Sequence, residues 1–124
     1  MSHFTMIAIE IKNGDLLKQA LEELGYPVKP NTLVRGYHGN TTTAEYVIPM
    51  PNGYDLGFRK AGAFYELIAD MWGLGINMKE FLGDLNQKYA AKVVLQGATQ
   101  HGFEIEQQEV LSDGTIRIVI GRWA

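Results

Sequence analysis

One run of residues in this chain combines types that could hold a ligand: Arg35-Gly36-Tyr37-His38-Gly39-Asn40-Thr41-Thr42-Thr43. Glycines let backbone N–H groups approach a bound molecule, hydroxyls and an asparagine add donors, and Arg35 supplies positive charge. A small anion such as a phosphate is therefore the ligand class this run suits, with Arg35, Gly36, Tyr37, His38, Gly39 and Thr41 as its candidate contacts. The run leads into a strand and not a helix, so it is neither a P-loop nor a dinucleotide fingerprint. Trp72, next to Gly73 in the connection Asp70-Met71-Trp72-Gly73-Leu74-Gly75-Ile76, is a further candidate. An indole beside flexible glycines can anchor a partner, gate a pocket or plug the end of a core.

The remaining chemistry is sparse. The three histidines are dispersed, with His3 at the terminus and His101 at a helix end, and no carboxylate stands at ligand spacing, so no metal site is expected. The absence of cysteine removes disulfides, thiol catalysis and thiolate metal sites, and suits a reducing compartment. Glu66 and Asp70 fall near each other on one strand face, an arrangement open to acid–base work. Surface carboxylates on a sheet more often pair with a neighbour, here Arg59. No catalytic residue is assigned and no cofactor is implied.

These residues need a scaffold, and the hydropathy pattern sketches one. Phe4 to Ile11 alternate with apolar residues on both faces, which suits a strand inside a sheet. Leu16, Leu17, Ala20, Leu21 and Leu24 recur at helical spacing, with Asn13 or Asp15 as cap and Gly25 as stop. Strands over 44–50 and 54–60 flank Asn52-Gly53, a hairpin signal that pairs Val47 with Phe58 and Pro49 with Leu56. Pro49 marks an outer strand. A second turn at Ala61-Gly62 pairs Phe58 with Tyr65 and Leu56 with Leu67. Asn77 and Glu80 open a second helix that Gly97 or Gly102 closes. A last hairpin turns at Asp113-Gly114.

The expected fold is α+β: a two-layer sandwich of one antiparallel-rich sheet with both helices on one face. Its order, β-α-β-β-β-α-β-β, is a ferredoxin-like variant, and one domain accounts for residues 1–124. Two helices cover one face of such a sheet. The expected opposite face carries Tyr46, Ile48, Phe64, Ile68, Val119 and Trp123, with Arg59, Glu66, Asp70 and Arg117 among them. Aromatic and aliphatic residues interleaved with arginine compose contact surfaces. That face is the expected surface for a protein partner or a second copy, with Tyr46, Ile48, Arg59, Phe64, Ile68, Arg117 and Trp123 as its residues.

The charge of −3, from 11 basic and 14 acidic side chains, offers no attraction to nucleic acid or anionic lipid. No apolar run is long enough to cross a bilayer and none resembles a signal peptide, so the expected address is cytoplasmic. The leading functional expectation is a non-enzymatic accessory or regulatory protein acting through its open sheet face. The alternative is a small-molecule or nucleotide binder, or a hydrolase, built on the 35–43 loop. RNA binding across the sheet is a third class, which the net charge disfavours.

Several short stretches also resemble a known family. Ser2-His3-Phe4-Thr5, Leu24-Gly25-Tyr26, Val34-Arg35-Gly36-Tyr37, Asn52-Gly53-Tyr54-Asp55-Leu56-Gly57-Phe58, Tyr65-Glu66-Leu67, Gln87-Lys88-Tyr89-Ala90 and Arg122-Trp123 resemble, in order and from end to end, hypothetical chloroplast reading frame thirty-five and its cyanobacterial and bacterial relatives. The resemblance implies a plastid stroma or bacterial cytosol and transfers no catalytic residue. The family often has glycine where His38 stands, which weakens any site built on that histidine.

Overall fold

The computed structural model describes residues 4–100, 102–112 and 115–122. The element order is β1 (Phe4–Ala8), α1 (Gly14–Glu23), β2 (Lys29–Arg35), β3 (Thr41–Ile48), β4 (Leu56–Ala61), β5 (Phe64–Asp70), α2 (Met78–Gln100), β6 (Phe103–Val110) and β7 (Ile116–Arg122). The class is α+β as expected, but the topology is not. A strand missing from the expected order, β2, occupies 29–35. The strands form a five-stranded antiparallel sheet, β1-β5-β4-β3-β2, and a separate β6-β7 pair rather than one sheet. Contacts group into two compact units, Met1–Asn77 and Met78–Ala124.

In the first unit, Asn13 Oδ1 accepts from Leu16 N at 3.1 Å and starts α1, while Gly25 (φ 93°) ends it with its N–H on Glu22 O. Leu16, Leu17, Ala20 and Leu21 are buried along one stripe of this helix. The first turn lies over the hydroxyls of Tyr65 and Tyr46, where a Cβ on Gly14 would collide with them.

Three pairings differ from expectation. β1 is an edge strand, not an interior one, and Thr5, Met6 and Ala8 on it are exposed. Its apolar continuation, Ile9 and Ile11, is buried and bonds Tyr65 through Ile9 N–H to Tyr65 O and Tyr65 N–H to Ile11 O. The β4–β5 turn falls one residue later than expected, at Gly62-Ala63, so Phe58 faces Leu67 and Leu56 faces Ala69. Gly62, with φ 72°, then takes the first central position, the one that needs glycine in a II′ turn.

The β3–β4 connection is the third difference. It is not a two-residue turn but the stretch 49–55, with a turn closed by Gly53 N–H on Met50 O. Pro49 lies outside the strand, and β3 is interior. Tyr46 therefore opposes Phe58 and Ile48 opposes Leu56, one residue away from the expected register. A slip of one exchanges the faces of a whole strand. Tyr46 and Ile48 share a face with Leu56, Phe58, Tyr65, Leu67 and Ala69, while Val47 points the other way.

That other face is covered in part, around Val47 and Gly57. β3 pairs with β4 over Tyr46–Ile48 only, and its first half stays with β2. Asn31, in left-handed backbone (φ 44°), is the position of β2 left out of the ladder with β3 between Pro30↔Tyr46 and Thr32↔Ala44. The β2–β3 arm folds across the sheet so that Val34 and Ala44 close on Gly57, and Val34, Ala44, Val47 and Phe4 pack together. The part of a face covered by its own hairpin reads apolar for that reason.

In the second unit, α2 ends with Gly102 (φ 74°), whose N–H bonds Thr99 O. Phe81, Leu85, Ala91 and Ala98 are its buried residues. β6 and β7 pair antiparallel from Phe103↔Arg122 to Val110↔Ile116 with one irregularity between Ile105 and Gln107. The expected turn at Asp113-Gly114 lies outside the described residues.

Candidate functional site

The β2–β3 arm brings the 35–37 segment to the end of the sheet where β4 begins and β5 ends. Arg35 O accepts from Asp55 N at 3.0 Å, and Tyr37 N–H donates to Asp70 Oδ2 at 2.9 Å. Gly36 is glycine because a Cβ there would stand 3.0 Å from Asp70 Oδ2 and from the Phe4 ring. Tyr37–Gly39 forms a single 3-10 turn closed by Asn40 N–H on Tyr37 O, with His38 in left-handed backbone (φ 50°) and exposed.

Asp70, buried at the end of β5, caps a second 3-10 turn, Met71–Gly73, by accepting from Trp72 N at 3.2 Å. One carboxylate thus pins both turns, through Oδ1 and Oδ2. The result is an aromatic platform. Trp72 lies edge-on to Tyr37, with ring centroids 5.1 Å apart, and tilted against Tyr54 at 6.1 Å. His38 continues the row at 4.0 Å from Tyr37. The 50–54 loop is locked to it, since Asn52 Nδ2 donates to Gly73 O at 2.9 Å and Asn52 Oδ1 accepts from Tyr54 N. The Tyr54 ring covers Gly73 so closely that any side chain there would strike it. Burial and the nearby Asp70 carboxylate push the Tyr54 phenol above its usual range.

Trp72 is 69% exposed, so it is not a plug for the core. The candidate contacts Gly36, Tyr37, His38 and Trp72 are brought together, but not as an anion cradle. Arg35 commits its guanidinium to Asp55, with Nε to Oδ2 at 2.8 Å and Nη2 to Oδ1 at 2.9 Å, and Nη2 also reaches Met50 O. Gly36 N–H bonds Asn40 O, and Tyr37 N–H bonds a carboxylate. Gly39 and Thr41 are exposed beyond the turn. The Asp70 carboxylate at the centre favours donors and positive charge over phosphate.

The expected partner face is dispersed. Ile48 (0% exposed) and Ile68 (1%) are buried on opposite faces, and half-buried Tyr46 stands beneath α1. Phe64 (40%) stays exposed, with Lys12 Nζ 5.1 Å from its ring centroid. Arg59 bonds Glu66 Oε1 at 3.1 Å and Met6 Sδ at 3.4 Å. Arg117 belongs to the other unit and pairs with Glu109. Trp123, His3 and His101 lie outside the described residues, as does the side chain of Val119. Glu66 and Asp70, the acid–base candidates, are separated by function: one pairs with arginine and the other caps backbone. Sequence reasoning missed Tyr54, Asn52 and the bridging role of Asp70. An Asp directly before an exposed turn was the available signal, since such a carboxylate bonds the N–H two residues on.

Among the described residues no group of His, Asp and Glu could hold a metal ion, and no helix is long and apolar enough to cross a membrane. A family described as protein of unknown function (DUF1257) matches residues 20–119. An uncharacterized protein ycf35 of Guillardia theta is 39% identical over 99% of this chain and 98% of its own length. Those of Cyanophora paradoxa and Pyropia yezoensis are 34% and 33% identical over the same shares. No solved structure matches the chain.

Proposed function

The chain belongs to the ycf35 family (DUF1257), and we propose that its member here is a non-enzymatic accessory protein that docks a partner protein on the Trp72 platform. The observation that carries this reading is an indole 69% exposed yet fixed at its backbone by Asp70 and flanked by Tyr37 and Tyr54. Large aromatic side chains with a polar edge are the commonest anchors of protein interfaces. Anchors held rigid before binding avoid the ordering cost of about 0.5–1.5 kcal/mol per side chain.

The partner chemistry that suits the platform is an extended, proline-bearing segment. Rows of aromatic rings take up the flat pyrrolidine faces of a polyproline II helix, while indole N–H and phenol O–H donate to its solvated carbonyls. The Tyr54 hydroxyl is one such donor. The alternative of a phosphate-bearing ligand on the 35–43 loop finds less support, because Arg35 is engaged by Asp55 and a second carboxylate sits at the centre.

An NMR titration of the protein with an oligoproline peptide tests the reading. The expected result is movement of the Trp72 indole N–H resonance and of the 36–39 amides. Resonances unmoved at about 1 mM peptide, where a contact worth roughly 4 kcal/mol is half filled, would count against it.

A further inference from the structure

A second place in the first unit has unused binding capacity. Where β3 parts from β4 and Asn31 drops out of the β2–β3 ladder, a cavity of about 220 Å³ opens, lined by Asn31, Thr43, Ala44, Glu45 and Arg59. Ladder pairing between β3 and β4 stops at Tyr46↔Phe58, so the backbone of Lys60 has no strand partner on that side. Its N–H is taken instead by Glu45 Oε2 at 3.0 Å. The residue across the gap, Arg59, turns its Nη2 to Glu66 and Met6 and not to Glu45. Two opposite charges therefore flank the cavity without closing it. Among the described residues, Glu45 Oε1, the Nε and Nη1 of Arg59, the Asn31 amide and the Thr43 hydroxyl have no protein partner. Asn31 holds left-handed backbone at this rim, a conformation costly for a residue other than glycine.

We propose that this cavity binds a small zwitterion of the α-amino-acid class, with its carboxylate on Arg59 and its ammonium on Glu45. The charge pattern selects the class. A lone anion would meet Glu45 and a lone cation would meet Arg59, whereas a molecule bearing both charges satisfies both. Size restricts it further, because the cavity is smaller than the roughly 300–1,000 Å³ of sites for drug-sized ligands. Asn31 and Thr43 supply neutral donors and acceptors at the rim, and the buried Ala44 forms an apolar floor.

The test is a titration of the labelled protein with each free L-amino acid, read at the amides of Thr43, Ala44 and Lys60. At least one is expected to shift these amides saturably. Its N-acetyl and carboxamide derivatives, each lacking one charge, are expected to bind about tenfold more weakly or worse, the value of one charge-assisted hydrogen bond. Arg59→Gln and Glu45→Gln should each reproduce that loss with unchanged circular dichroism. Thr43→Phe, at an exposed position, fills the cavity with an uncharged ring and should abolish the shifts. Silence from every amino acid at about 10 mM, a limit near 3 kcal/mol, overturns the proposal. So do shifts that survive in all three variants, or equal binding of the acetylated derivative.

Discussion

Arg35 and Asp55, twenty residues apart, are joined four times: Asp55 Oδ2 accepts from both the backbone N and Nε of Arg35, Oδ1 accepts from Nη2, and Asp55 N–H donates to Arg35 O. Met50 N–H also donates to Oδ1 at 2.8 Å, so the carboxylate accepts four bonds in all. This carboxylate, 1% exposed, ties the end of β2 to the loop that carries Tyr54. It therefore fixes the position of the platform as well as the fold. Asp55→Ala is expected to cost about 1–3 kcal/mol. The half-exposed Arg35 regains water, which keeps the loss below that of a fully buried pair. Urea unfolding of the two proteins measures it.

The same pair gives a pH dependence. Burial alone would raise the Asp55 pKa, but the Arg35 guanidinium and the two backbone N–H groups outweigh it and hold the carboxyl below its ordinary range. The unfolded chain then binds this proton at a higher pH than the folded one. The stabilisation is complete above the unfolded value, about 3.9. It is lost as pH falls through the lower folded value. Wild type should thus lose stability below about pH 5 more steeply than Asp55→Ala. Parallel pH curves for the two would contradict the assignment.

Two glycines should respond oppositely to alanine. At Gly57 a Cβ meets Val34 and Ala44 of the covering arm, so Gly57→Ala is expected to destabilise by about 1–3 kcal/mol. At Gly83, inside α2, nothing lies within 4 Å. Gly83→Ala should stabilise by about 0.5–1 kcal/mol through helix propensity alone. Calorimetric melting gives both signs.

Leu21 and Leu85 are both fully buried, and truncation of Leu21 to alanine should cost about 2–5 kcal/mol. Chemical denaturation checks it. This position illustrates what was legible in the sequence. The stripe of α1, its Asn13 cap and its Gly25 stop follow from local spacing and local hydrogen bonds, and they stand where the pattern puts them. The 56–61 and 64–70 strands are legible too, because alternation in each is unambiguous.

What was not legible depended on contacts far apart in the chain. Asn52-Gly53 carries the signature of a tight hairpin, but Asp55 is taken by Arg35 and Asn52 by Gly73, so the loop widens and the β3 register shifts by one. Lys29–Arg35 contains a proline and mostly polar side chains and does not alternate like a strand. Its partner is β3, and Val34 on it closes on Gly57. The expected open face is split: Tyr46 and Ile48 lie on the other side of the sheet, the arm covers the part around Gly57, and Phe64 stays exposed. The platform followed the same logic: Arg35, Tyr37 and Trp72 were visible as unusual residues, while the carboxylate joining Tyr37 to Trp72 required the fold.

Partner binding is assigned to Trp72 and not to the residual apolar sheet surface at Phe64. Isothermal titration of an oligoproline peptide into wild type, Trp72→Ala and Phe64→Lys decides between them. Both substitutions are at exposed positions and should leave the fold intact. Trp72→Ala is expected to weaken binding by about 2 kcal/mol or more, a thirtyfold loss, while Phe64→Lys binds like wild type. Binding unchanged in Trp72→Ala, or lost in Phe64→Lys alone, would contradict that assignment.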